Sequence, residues 1–585
     1  MRNSLLILCF AIVLQYSWQS PGDNEDMSFW LKSGQENLQR ILSMRNLEKK
    51  AKNIIIFIGD GMGISTITAG RIFKGQSKGF SGEEYKLNFE KFPNAALVKT
   101  YNIDRQVPDS AGTATAIFSG VKSRYKILGL DAKAQVNKCD KNINEAAKLS
   151  TIADWAQESG MDTGFVTTTR VTHATPGALY SHVNNRDWEC ETEIPREYRT
   201  CVKDIARQLV EDAPGKNFKV IMGGGGQCLG IPDKKEVIDL CTRDDGLNLA
   251  EIWQKNNPQS KIVKNLNDLM AIDIANTSKI MGIFGSSHVE YSAVKSKETP
   301  SLANMTLQAI RLLKKNKNGF FLLVEGGKID IAHHANYAKM ALIELSDFED
   351  AIQVAFRELK MKETLLIVTA DHSHAFTLNG YPKRGTDILG FANQTEEIDP
   401  YETLSYANGP GFLYHRINDS RVNETWRRVE DDTTRKDPYY RHFAGKYLKD
   451  ETHGGEDVAL YAIGPYSHLF RGTFEQNYIA HAVAYAACFK DWPSHCDQAY
   501  NRYYYETTNS SGFRIPSNAI LLVFSVFLAN NTGNAFFKLW IHHKPENCKK
   551  SIIKISLQLL QEKFIVSLFG LVTIDIPVCT VFVEL

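Results

Sequence analysis

The chain has 585 residues, 43% of them hydrophobic, with 68 Lys+Arg against 67 Asp+Glu for a formal net charge of +1. That length buries a substantial core, as one large catalytic domain with insertions or as two or three small domains. A charge so evenly balanced gives no electrostatic ground for a nucleic-acid partner.

The chain opens on MRNSLLILCFAIVLQYSWQS, with one basic residue before an apolar run from Leu5 to Leu14. The run is too short to span a bilayer and polar PGDNED follows at once, so residues 1–20 read as a secretory signal peptide. An exported chain meets an oxidising compartment, where cysteines pair. Setting aside Cys9, Cys548 and Cys579 leaves Cys139, Cys190, Cys201, Cys228, Cys241, Cys488 and Cys496, an odd number with one thiol over. Sequons at Asn276, Asn304, Asn393, Asn418, Asn423 and Asn509 agree with a glycosylated surface.

Short apolar runs at 53–58, 164–168, 218–222, 320–324, 364–369 and 458–463 predict buried strands. Helical patterns such as INEAAKLSTIADWAQESG and SLANMTLQAIRLLKK lie between them. The alternation predicts an α/β fold, a large mostly parallel sheet with helices on both faces. From about 380 to 450 the sequence turns Gly-, Pro-, Tyr- and Arg-rich, which predicts a small inserted subdomain.

Polar residues gather just beyond the strand ends, where open α/β sheets place their sites. After NIIIFI comes GDGMG with Asp60, whose plain alternative is an Asp bonding its own turn. After FFLLV comes EGGKIDIAHH, in which Asp330 and His334 are spaced i, i+4 and share a helix face able to grip one metal ion, with Glu325 close by. His333 points elsewhere, either behind the ligands or into solvent. ADHSH supplies Asp371, His372 and His374; the first two ligate together only if the backbone bends, and His374 orients a ligand by hydrogen bonding. THGGED adds His453.

The stretch QVPDSAGTATAIFSG places an acid and Ser110 at the mouth of a helix. Ser110 reads first as a helix cap. As a nucleophile it needs an activator, and no histidine lies within sixty residues on either side. Metal ions held among Asp60, Asp330, His334, Asp371, His372 and His453 would ionise it by direct coordination. A Gly-x-Ser-x-Gly match at Gly75–Gly79 places Ser77 in a polar loop without strand-turn-helix context, and is chance.

GDGMG, PDSAGTATA, VTHATP, NNRDW, VEGGKID, TADHSH and THGGEDV together, in this order between Asn53 and Cys496, resemble the alkaline phosphatase family, specifically its animal, membrane-anchored members. The resemblance implies hydrolysis of phosphate monoesters, small molecules or phosphoproteins, at an alkaline optimum through a phosphoserine on Ser110. It implies two zinc ions and one magnesium ion per chain. The first zinc takes Asp330, His334 and His453; the second takes Asp60, Asp371, His372 and the Ser110 oxygen. Magnesium takes Asp60, Thr175 and Glu325, an all-oxygen set suited to a hard cation. Arg186 forks onto phosphate oxygens, and His173 and His374 stand behind the ligands. Disulfides Cys139–Cys201 and Cys488–Cys496 are implied; Cys228 and Cys241 could close a local loop, leaving Cys190 over. The vertebrate calcium site is not supported, since Phe284-Gly285 and Thr299 stand where its acidic residues fall. A homodimer is implied.

Residues 21–508 are therefore expected to form the catalytic domain, and 509–585 an anchor signal and extension. The patch Asn509–Gly512 before the apolar run 519–529 resembles a glycosylphosphatidylinositol signal, placing the protein on the extracellular face of the plasma membrane, although 56 residues follow that run. The alternative from another class is a catalytically silent surface glycoprotein that serves as a binding site; loss of a metal ligand would favour it, and none is lost. A sulfatase would need a Cys/Ser-x-Pro-x-Arg segment, whereas AGTA follows Ser110. A diesterase fits poorly because Arg186 addresses oxygens that a diester has substituted.

Overall fold

The structure, a computed structural model, describes residues 46–232, 242–392, 401–416 and 432–489, together with strands 523–526 and 537–540. The signal peptide, Cys241, Cys496, the sequons at Asn393, Asn418, Asn423 and Asn509, and the proposed anchor patch lie outside the described residues. Two units are present, Met1–Ser494 and His495–Leu585. In the second, the described strands β15 (Val523–Val526) and β16 (Phe537–Trp540) pair antiparallel.

The first unit's described strands are β1 (Asn53–Gly59), β2 (Asn94–Lys99), β3 (Asp162–Arg170), β4 (Val220–Gly224), β5 (Ser260–Val263), β6 (Lys279–Ile283), β7 (Phe320–Glu325), β8 (Thr364–Ala370), β9 (Ser373–His374), β10 (Phe376–Leu378), β11 (Leu404–Tyr406), β12 (His453–Gly454), β13 (Val458–Ile463) and β14 (Gly472–Glu475). Ten of them form one sheet in the order β14-β2-β13-β8-β1-β7-β3-β4-β6-β5. Only β13 runs against its neighbours, pairing antiparallel with β2 and β8. The mostly parallel α/β sheet expected from the sequence is the observed one.

Burial explains why the central strands stand out in the sequence. β1, β7 and β8 are buried at every position, because helices cover both faces and leave no place for alternation. Helices Leu302–Leu313, Ala338–Glu358 and Ile64–Ser77 pack together as one group, and helices Ser110–Ser119, Ile152–Glu158 and Tyr478–Ala487 as another. β2 alternates buried and exposed, so NAALVK carries no continuous apolar run.

Between 376 and 444, β10 and β11 pair antiparallel, and Phe376, Leu404, Tyr406 and Ala444 join a small apolar cluster with Ala69 and Ile72 of the Ile64–Ser77 helix and Ala338 and Leu342 of the Ala338–Glu358 helix. Cys139 and Cys201 form a disulfide with Cα atoms 6.2 Å apart. Cys488 is disulfide-bonded as well. Cys190 and Cys228 are buried against each other. Ser77 corrects one expectation: it is the last residue of the Ile64–Ser77 helix, not a loop residue, and its Oγ donates to the Lys74 carbonyl at 2.7 Å.

Candidate metal centre

Parallel register brings the polar strand ends together. Ile58 of β1 lies opposite Glu325 on β7 and Thr369 on β8, so Asp60, Glu325 and Asp371 emerge side by side at the carboxyl edge of the sheet. Gly61 follows with φ +69°, a conformation that favours glycine, and a Cβ there would collide with the His374 ring. Its amide donates to Asp371 Oδ1 at 3.1 Å. The chain turns at Asp371 before the two-residue strand β9, so Asp371 and His372 can face one point, as the sequence required.

Asp330 and His334 occupy one face of the helix Lys328–His334, with Asp330 Oδ1 3.3 Å from His334 Nε2. His453, on β12, brings its Nε2 to 3.2 Å from His334 Nε2 and 3.4 Å from Asp330 Oδ1. His334 Nδ1 lies 2.5 Å from the Glu451 carbonyl and His453 Nδ1 2.7 Å from the Pro108 carbonyl. Carbonyls only accept, so both Nδ1 atoms carry the proton and both Nε2 atoms present lone pairs. Three acceptors thus converge on one point, an arrangement a cation satisfies. The edge of a tetrahedron with metal–ligand bonds of about 2.0–2.1 Å is about 3.3 Å, which matches all three separations.

The same geometry recurs next door. His372 Nε2 lies 3.1 Å from Ser110 Oγ, 3.3 Å from Asp371 Oδ2 and 3.5 Å from Asp60 Oδ1. Its Nδ1 faces the Ser373 carbonyl at 3.1 Å, which again turns the Nε2 lone pair toward the group. The His372 and His453 rings stack at 3.5 Å between centroids, joining the two clusters. A third cluster is marked by unmet valence: both Asp60 carboxylate oxygens, Glu325 Oε1, Thr175 Oγ1 and His173 Nδ1 are buried without a hydrogen-bond partner among the described residues. Buried polar atoms are rarely left so, and this mostly oxygen set is what a hard cation takes.

The electrostatics agree. Burial, and then the charges of Asp371, Asp330 and Glu325, push Asp60 well above the usual carboxylate range. Burial, with Asp371 behind it, raises Glu325 to about 7. Asp330 goes the other way, because burial is outweighed by the charge of a protonated His334 and by hydrogen bonds from His334, His374 and His453; a cation on the Nε2 lone pairs of His334 and His453 would take the place of their protons. His374 is raised to about 10: burial opposes its charge, but Glu451 and Asp330 hold it, with Nδ1 2.5 Å from Glu451 Oε2 and Nε2 2.8 Å from Asp330 Oδ1. Both its nitrogens therefore donate, and His374 orients Asp330 instead of offering a lone pair.

Ser110 is the first residue of the Ser110–Ser119 helix, not its cap. Asp109 is the cap: its Oδ1 accepts from the Gly112 amide at 3.2 Å. This corrects the capping reading of Ser110 and leaves its hydroxyl free to face His372. Asp109 Oδ2 also lies 3.4 Å from Arg186, whose other terminal nitrogen is 3.1 Å from His173 Nε2. His333 is not solvated: it is fully buried between Thr66 Oγ1 at 3.1 Å and the Tyr406 hydroxyl at 2.9 Å.

Sequence reasoning missed Glu451, which binds His374 and accepts from the Ala375 amide at 2.7 Å. Its one signal is an acid two residues before His453.

The sequence profile of the family described as alkaline phosphatase matches residues 51–489. The chain is 48% identical over 505 residues to alkaline phosphatase 4 of Drosophila melanogaster, covering 81% of this chain and 84% of that protein. It is 39% identical over 476 residues to the membrane-bound alkaline phosphatase of Bombyx mori, covering 79% and 86% respectively. Among solved structures, the alkaline phosphatase of the Antarctic bacterium TAB5 shares the fold at a TM-score of 0.52 and 24% identity, covering 76% of this chain and 99% of that one.

Proposed function

This chain belongs to the alkaline phosphatase family and hydrolyses phosphate monoesters with divalent metal ions, and on that footing we propose that Ser110 is its nucleophile and Arg186 its phosphate clamp. One observation carries the reading: the Ser110 hydroxyl stands among His372, Asp60 and Asp371, whose lone pairs converge beside it.

Asp330, His334 and His453 would hold one zinc ion; Asp60, Asp371, His372 and Ser110 Oγ a second; Asp60, Thr175 and Glu325 a magnesium ion. Bound there, the ions supply Lewis acidity to the ester oxygens and lower the proton affinity of the Ser110 hydroxyl. The protein's own groups do the rest. Ser110 begins a ten-residue helix, so its backbone amides and the helix dipole favour the phosphate's negative charge. Asp109 and His173 hold the Arg186 guanidinium where its fork can take two phosphate oxygens. Ser110 Oγ forms the new P–O bond as the bond to the alcohol oxygen breaks in line with it, and the hydroxyl's proton ends on the departing alcohol, giving a phosphoserine. Water then attacks phosphorus, the Ser110 Oγ–P bond breaks, and one of the water's protons returns Ser110 to its hydroxyl form as inorganic phosphate leaves.

A series of esters assayed across pH tests this reading. Monoester hydrolysis should exceed diester and sulfate-ester hydrolysis by at least about 100-fold, because a diester deprives Arg186 of an oxygen, and should rise with pH above neutrality. A preference for the diester or sulfate ester, or a maximum below pH 7, would contradict it.

Attachment to the outer membrane surface by lipid belongs to the same proposal. The Bombyx mori relative is named membrane-bound, and no helix among the described residues is long and apolar enough to cross a membrane. A phosphatidylinositol-specific phospholipase should release the enzyme from membranes, with its mature chain ending near residue 510. Peptides from 530–585 in lipase-resistant protein would sink the anchor and leave the catalytic reading untouched.

A further inference from the structure

The Arg186 guanidinium is held by a 3.4 Å pair with Asp109 and a 3.1 Å contact with His173, and its amide donates to the Lys126 carbonyl at 2.8 Å; the rest of its placement depends on the loop that carries it. Three residues farther along that loop, Glu189 is buried and grips Arg170, the last residue of β3. Arg170 Nε lies 3.0 and 2.8 Å from the two Glu189 oxygens, and a terminal nitrogen of Arg170 lies 2.5 Å from Oε1. Thr172 Oγ1 donates to Glu189 Oε2 at 2.5 Å. The remaining terminal nitrogen of Arg170 donates to His288 Nε2 at 2.6 Å.

Two separate segments are thereby joined through one carboxylate, and a third is joined to them through Arg170. The first leaves β3 through Arg170 and Thr172 and goes on to His173 and Thr175; the second carries Arg186 and Glu189. The third contains His288, and it is fastened alongside by the Val289 amide on the Thr168 carbonyl at 3.1 Å. The His288 ring sits edge-on to His173 at 5.5 Å. Burial alone would raise the Glu189 carboxyl, yet the Arg170 charge and the hydrogen bonds hold it below its ordinary range, so it is ionised in place.

We propose that Glu189 and Arg170 are positioning residues for the reaction: their buried, multiply bonded pair locks the Arg186 loop to the His173–Thr175 turn and so sets the aim of the phosphate clamp. The pair acts on the reaction through Arg186. This rests on the assignment of Arg186 to phosphate. Losing a buried charged partner leaves Arg170 uncompensated and removes the side-chain tie between the two loops, which is the expensive way to break an ion pair.

The test is a double-mutant cycle on the full-length enzyme loaded with zinc and magnesium, measuring kcat, KM and inhibition by inorganic phosphate. Glu189→Ala should raise both KM and the phosphate inhibition constant roughly tenfold, with kcat changed less than about threefold. Glu189→Gln, which keeps the shape and a bond to Thr172, should recover most of that loss. In an Arg186→Ala background Glu189→Ala should add less than about twofold, since the clamp it serves is gone. The same tenfold factor in both backgrounds would overturn the proposal, as would an unchanged phosphate constant in the single variant. If Glu189→Ala does not fold, Arg170→Lys, which cannot bond both Glu189 oxygens in the same fork, carries the cycle under the same criterion of non-additivity. Should Arg186→Ala alone leave phosphate inhibition unchanged, the assignment of Arg186 fails and the proposal falls with it. That outcome is distinct from a multiplicative cycle, in which Arg186 stands and only the coupling fails.

Discussion

Ser110→Ala should lower turnover of a phosphate monoester by about 10³-fold or more while leaving metal content and fold nearly intact. The helix does not depend on the hydroxyl, because Asp109 supplies the cap through Gly112. The small Ala111, Gly112, Ala114 and Ala116 pack the buried helix whatever stands at its first position. The second cluster keeps Asp60, Asp371 and His372 after the substitution, so a cation there loses one donor of four. Activity and metal content should therefore separate, with zinc still bound and turnover gone. Turnover within about tenfold of the parent enzyme would show that another group attacks phosphorus.

Removing the metal ions should abolish activity and lower the melting temperature by roughly 10 °C. The stability loss follows from mass action: each ion bound at a thousand times its dissociation constant contributes about 4 kcal/mol. The stripped protein should also acquire a pH dependence that the loaded protein lacks. Glu325 stands at about 7 in the fold against 4.5 for the ordinary group, and Asp60 is displaced in the same direction. Groups so raised bind more protons folded than unfolded, so the stripped protein should lose stability as pH rises from about 4.5 to about 7, as these carboxylates become charged beside one another. The difference in melting temperature between loaded and stripped protein should widen across that window. Full activity after exhaustive chelation, or a difference that narrows with rising pH, would contradict the account.

The central strands and the ligand clusters were legible in the sequence for one physical reason. A strand covered on both faces is a continuous apolar run, and the polar residues that follow it are then conspicuous, as GDGMG follows β1 and ADHSH ends β8. β2 escaped because NAALVK alternates, and β5 and β6 because they are four and five residues long near the sheet's far edge. The supporting groups were illegible because their meaning arises from partners distant in the chain. Glu451 meets His374 across 77 positions, and nothing in its local sequence points there. Arg170 meets His288 across 118 positions. Asp109 was visible as an acid beside Ser110, but only the backbone shows that the acid is the cap and the serine the first residue of the helix.

Rapid acid quenching during turnover of a monoester carrying labelled phosphate, followed by peptide mapping, tests the central claim most directly. The account predicts phosphate on the peptide containing Ser110, absent from Ser110→Ala and from metal-stripped enzyme. Sustained turnover with no labelled peptide, or label on a different residue, would contradict it.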